Sequence, residues 1–215
     1  MVRPAPHPRI VIRSNPMLAW LKQRRLKMAS ILSIGGDGLM GMGGAAGLFS
    51  WIVPNSGAAD VFLMVAGAIA VIGHIMVVLF GHGGARADGK RVRGLKSGHI
   101  ARALMPWRYP LDFGLAAFVC SGLLYATAGY LMANHALIVT GILVFAASLT
   151  GWLGLASMRV TAGIFMTATV MQFWAAWLGQ NVFMFLSALC YAVCNVILAT
   201  VRKEHQSAYT LDNPS

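Results

Sequence analysis

At 215 residues the chain is long enough for one domain, but 58% of it is apolar and only 11% is charged. With a mean hydropathy of +0.68, that balance excludes a water-soluble globule, which carries about a quarter of its residues charged. The 17 Lys and Arg against 6 Asp and Glu give a formal charge of +11, and because they sit between and beside apolar blocks they point to membrane orientation and anionic lipid, not to nucleic acid.

Residues 1–27 read as a basic cytoplasmic tail. Pro4, Pro6 and Pro8 keep its start extended, and Asn15-Pro16 supplies a helix cap and first position. From Met17 to Lys27, apolar Met17, Leu18, Trp20 and Leu21 precede Lys22, Arg24, Arg25 and Lys27, the pattern of an amphipathic helix lying at the membrane surface. The first span is expected near 28–53, stopped by Pro54-Asn55, and the second near 61–80, closed by Gly81-His82-Gly83-Gly84. A basic loop follows over 83–111. The third span is placed near 113–132, with a turn at Ala133-Asn134-His135, and the fourth near 136–158, ending at Arg159. Residues 160–201 carry no charge and are too long for one crossing of a roughly 30 Å hydrocarbon core. A break at Leu178-Gly179-Gln180-Asn181 divides them into spans near 161–178 and 182–200, with a polar tail over 202–215.

The expected fold is therefore all-α, a polytopic transmembrane helical bundle of about six spans. With the N-terminus inside, every Lys and Arg falls on the cytoplasmic side, and the outer loops around Asn55, Asn134 and Gln180 hold none. Both termini are then cytoplasmic, and the uncleaved basic N-terminus suits a multi-pass protein of a bacterial plasma (inner) membrane. Asp37, Gly47 and Leu48 recur as Asp112, Gly122 and Leu123, which suggests duplicated helical hairpins.

Four polar residues stand inside the predicted spans. Asp37, about ten residues into the first, costs on the order of 2.5–3.5 kcal/mol at a helix centre unless it meets water or a partner. It reads either as a proton or cation site, or as a headgroup-level carboxylate paired with Arg24, Arg25 or Lys27. His74 lies at a similar depth in the second span, so the two can meet across antiparallel helices, as a protonatable pair or as one interhelical hydrogen bond. Gln172 and Asn195 sit on small-residue faces of the last two spans. Those faces look into a bundle, as a polar substrate site or as helix–helix glue.

The glycine run of the first span includes Gly41, Gly43 and Gly47, whose missing side chains permit close helix packing, within the bundle or with a partner subunit. Lys90, Arg91 and Arg93, then Trp107, Arg108 and Tyr109, form a candidate lipid or partner contact at the inner headgroups. Cys120, Cys190 and Cys194 lie in apolar blocks without ligand spacing. A b-type haem would need a second membrane-depth histidine, whereas His82, His99 and His135 fall at helix ends. No metal, other cofactor or nucleic acid is expected, and no hydrolase, zinc-protease or phosphotransfer signature is present, so the chain reads as a non-enzyme. Two functions fit. The first is a membrane subunit that scaffolds or anchors a larger inner-membrane complex, with membrane-protein partners or self-association. The alternative is a small-solute or ion transporter or channel with Asp37, His74, Gln172 and Asn195 along its path.

Overall fold

The computed structural model describes residues 16–49, 57–81, 102–153, 155 and 158–211, and within them the fold is all-helical. Six long helices follow one another: α1 Pro16–Phe49, α2 Gly57–Met76, α3 Pro110–Leu131, α4 His135–Trp152, α5 Met158–Leu178 and α6 Val182–Leu211. Five of them are long and apolar enough to cross a membrane, over 57–80, 110–131, 135–152, 160–178 and 182–200. The sixth, α1, is less apolar because glycines and Asp37 dilute it.

Several helix ends differ from the expected span limits. The stretch 17–27, read as a separate surface helix, is the start of the single 34-residue α1. Between Met17 and Phe49 there is no proline, and the junction is built of Leu, Lys, Met and Ala, all strong helix formers. Polarity changes at Lys27-Met28, but nothing there breaks the backbone. At its far end α2 widens into a π-helical turn, Val77–Gly81. Helix α4 stops at Trp152, short of Met158, and α6 continues to Leu211, well past residue 200.

Packing runs mainly between chain neighbours, α1 on α2, α2 on α3 and so on to α6, and α6 then returns to α1 and closes a ring. Close backbone contact makes this possible. In α1 and α2, Gly44 lies against the Asp60 carbonyl and Met64, and Gly67 against the backbone of Gly41. Gly73 of α2 meets the Gly114 carbonyl of α3, and Gly122 and Gly141 join α3 to α4. A Cβ at any of these positions would overlap the neighbouring helix. Neighbours are antiparallel, as the pairs Gly44 with Asp60 and Gly67 with Gly41 require, so the starts of α1, α3 and α5 share one end of the ring with the finish of α2, α4 and α6.

The two short turns at the opposite end are built alike. Helices α3 and α5 each finish in a left-handed residue, Ala133 at φ 52° and Gln180 at φ 47°. Asn134 N–H then reaches back to the Gly129 carbonyl at 2.8 Å, and Asn181 N–H to the Ala176 carbonyl at 3.1 Å, the bond pattern of a Schellman cap. The same asparagines cap the next helix, Asn134 Oδ1 accepting from Leu137 N–H at 3.1 Å and Asn181 Oδ1 from Met184 N–H at 3.0 Å.

Burial follows a threefold register. Ser121, Gly122, Tyr125, Ala128 and Gly129 of α3 are buried, and at constant offsets so are Ala168, Thr169, Gln172, Ala175 and Ala176 of α5 and Gly36, Asp37, Met40, Gly43 and Gly44 of α1. In this register Asp37 corresponds to Gly122 and Thr169, not to Asp112. Asp112 instead sits in the first turn of α3 and accepts from Trp152 Nε1 of α4 at 3.0 Å. The ring is thus three helical hairpins with like inner faces, and its core is narrow: Met40, Leu63, Ala66, Tyr125, Ala128, Ala136, Leu137, Ala175, Ala176 and Met184 fill it.

Candidate intramembrane site

Asp37 is 2% exposed and faces neither lipid nor the arginines of its own helix. Lys27 lies almost three turns away along α1, about 15 Å at the α-helical rise. Its partners come from two other helices. The Asp37 Oδ2 meets His74 Nδ1 from α2, and the Tyr191 hydroxyl of α6 donates to Oδ1. Gly36 makes room for this contact: a Cβ there would stand 3.2 Å from the Tyr191 ring. On its other side His74 packs edge-to-face on Phe118 of α3, with ring centres 4.3 Å apart. One turn before Asp37, Ser33 Oγ lies 3.0 Å from Cys194 Sγ, a second polar tie between α1 and α6.

Gln172 and Asn195 belong to a different contact. Gln172 Nε2 donates to Ser187 Oγ at 2.9 Å, and Asn195 Nδ2 to Thr169 Oγ1 at 3.2 Å, so both join α5 to α6. The four residues expected to share a path therefore divide into two groups. Helix α6 links the groups, offering Ser187 and Asn195 to α5 and Tyr191 and Cys194 to α1.

Beyond Asp37 the ring is layered in single helical turns along α1: Asp37, then Met40, then Gly43 and Gly47. The Met40 layer holds Leu63, Tyr125, Leu137 and Met184, and the same register places Gln172, bonded to Ser187, level with Met40 and Tyr125. The Tyr125 hydroxyl is buried and has no hydrogen-bond partner among the described residues. Past this layer a cavity of about 870 Å³ opens at the end of the ring where the short turns lie. Asp60, Asn134, Gln180 and Asn181 contribute its polar lining, beside Gly43 and Gly47 of α1. The Asp60 carboxylate rests on Gly47, where a Cβ would force it to move. Asn134 is itself buried and donates from Nδ2 to the Ala175 carbonyl at 2.9 Å, tying the α3–α4 turn to α5.

Of the three glycines singled out for packing, Gly41 lies on Met64 and Gly67 of α2, Gly43 on the Asn181 amide and Gly47 on Asp60. All three are used inside the ring. Trp107 is 83% exposed and Arg108 is exposed. Tyr109 lies under the guanidinium groups of Arg102 and Arg108, at 5.5 and 5.7 Å from its ring centre. Trp20 and Arg24 form a similar stack at 4.1 Å on α1. Lys90, Arg91 and Arg93 lie outside the described residues.

Three participants are harder to find in the sequence. Tyr191 and Tyr125 carry no mark there, because a tyrosine in an apolar block raises no cost. Asp60 stands just before the expected start of the second span; its signal was available, as an acid in the first turn of a helix. Compared with protein-family models, with curated proteins and with solved structures, the chain finds no match in any of the three.

Proposed function

We propose that the protein is a small proton-coupled membrane transporter whose switch is Asp37 with His74 and Tyr191. One observation carries this reading: a buried carboxylate at membrane depth is held at once by ionisable or hydroxyl groups from two other helices. Gaining or losing a proton at such a group changes the bonds holding three helices together, which is the coupling a transporter needs. Support comes also from the Tyr125 hydroxyl, a buried proton-bearing group level with Met40, one turn of α1 from Asp37, and from the cavity further along the ring.

In this reading all six helices cross the membrane and both termini are cytoplasmic. At about 50 Å, α1 is long enough to cross the bilayer and extend beyond it. The antiparallel order gathers the basic segments, including Arg24, Arg25, Arg102 and Arg108, at one end, as the positive-inside rule requires for a bacterial plasma membrane.

Purified protein reconstituted in liposomes and challenged with protonated amines, amino acids, sugars and monovalent ions should give a transport current with one class. Asp37→Asn should abolish it at unchanged expression. No current from the native protein, or an undiminished one from the variant, rejects the reading. The alternative, a subunit of a larger membrane complex, is favoured by Gly35 and Gly38, which face open space on α1 and leave room for a foreign helix. Stoichiometric foreign partners in native mass spectrometry, with no current, would establish it instead.

A further inference from the structure

The cavity at the short-turn end differs in electrical character from the rest of the molecule. The protein carries a formal charge of +11, yet among the described residues lining this cavity none is Lys, Arg or His and one, Asp60, is acidic. The connecting residues 50–56 add no charge either, and no Lys or Arg occurs over 28–85, 109–158 or 160–201. Among the described residues Arg24, Arg25, Lys27, Arg102 and Arg108 lie toward the opposite end of the ring, and Asp60 is the one charged side chain among the described residues that line this largely apolar recess. Such a recess concentrates cations.

Its remaining chemistry narrows the class. A bare divalent ion needs several oxygen ligands at once, and no group of three His, Cys, Asp or Glu side chains gathers among the described residues. The walls include Leu131, Met132, Leu178, Phe183 and Met184, apolar and aromatic surface that a hydrated inorganic ion cannot use. Thioether and phenyl groups beside one carboxylate instead match a molecule with an apolar body and a single positive head. The volume, about 870 Å³, falls in the range of small-molecule sites.

We infer that this cavity binds a small organic monocation, an ammonium bearing an apolar group, with Asp60 as the charge partner of its head and Phe183, Met132 and Met184 against its body. The inference rests on the transport reading only in making this molecule the cargo; the binding itself stands apart. Along α2, Asp60 lies seven residues before Gly67, whose Cα faces the Asp37 backbone, a distance of about 10 Å at the helical rise. The layer of Met40, Leu63, Tyr125, Leu137 and Met184 lies between the two carboxylates, so cargo and proton occupy different sites.

The test is calorimetric titration of the full chain in lipid nanodiscs with phenethylammonium, and with phenethyl alcohol and phenylpropionate as neutral and anionic counterparts. Only the cation should bind, and Asp60→Asn should weaken it by about tenfold or more, the scale of one partly buried charge interaction. Because Asp60 packs on Gly47 and its variant can misfold, the decisive pair is Gln180→Glu and Gln180→Lys, at an exposed turn residue on the cavity rim. The first should tighten and the second weaken phenethylammonium binding, each by several-fold and both relieved by salt. Equal affinity for the alcohol, or no difference between the two Gln180 variants, overturns the inference. Asp37→Asn separates the two proposals: binding retained with current lost supports both, binding without any current in the native protein leaves the cavity assignment standing and removes the transport reading, and current from an unrelated solute without phenethylammonium binding does the reverse.

Discussion

Tyr191 gives the Asp37 cluster its third helix through one hydroxyl. Replacing it by Phe keeps the ring in place and removes that bond, so thermal unfolding in detergent should report a loss of about 1 kcal/mol, the scale of a polar contact between membrane helices. Asn134→Ala should cost more, about 1–3 kcal/mol by the same measurement, because its amide both caps α4 and satisfies the Ala175 carbonyl. These residues differ in how visible they are in a sequence. Asp37 and His74 announce themselves, since an ionisable group deep in an apolar block needs a partner, and antiparallel order brings their depths together. Tyrosine is at home in such blocks, and its role depends on which face of α6 meets α1, a fact of packing. Gln172 and Asn195 were legible as inward-facing but not as belonging to α5 and α6 alone, because small-residue faces show direction without naming the neighbour.

Among the helices, glycine acts in two opposite ways. Gly67→Ala places a methyl group into the Gly41 backbone, so α1 and α2 must separate, and the folded fraction should fall sharply, by about 2 kcal/mol or more. Gly35→Ala meets open space and should raise stability by up to about 1 kcal/mol through helix propensity alone. A thermal shift of the same sign for both variants would contradict this division of the stripe. That the glycine run packs against something could be read from composition. Which glycines are used could not, since the answer depends on the register of the α1–α2 hairpin. The continuity of α1 is hidden for a related reason: a change from basic to apolar residues marks a change of surroundings, while a proline or a cap marks the end of a helix. The apparent duplication through Asp37 and Asp112 failed similarly, because identities among common residues drifted from the burial pattern that relates the three hairpins.

For the whole molecule, the all-helical class and five of the long apolar segments were legible, since lipid leaves few ways to arrange such blocks. The ring was not, because no local pattern states that α6 returns to α1. Sidedness is open to a direct check. In a cysteine-free background, Gln180→Cys should label with an impermeant thiol reagent from outside intact cells, and Arg93→Cys only after permeabilisation; labelling of both from one side would contradict six crossings. Gln180 suits this better than Asn134, whose side chain is buried.

Closure by α6 also orders events during synthesis. Helix α1 leaves the ribosome before the other five described helices, but the hydroxyl that completes its carboxylate's surroundings arrives with α6. Until then the nascent protein is an open crescent with a polar group at its raw edge, a form that membrane proteases and insertion chaperones can recognise. A chain cut short before residue 182 should therefore be cleared rapidly, whereas the finished one hides that mark by its own completion.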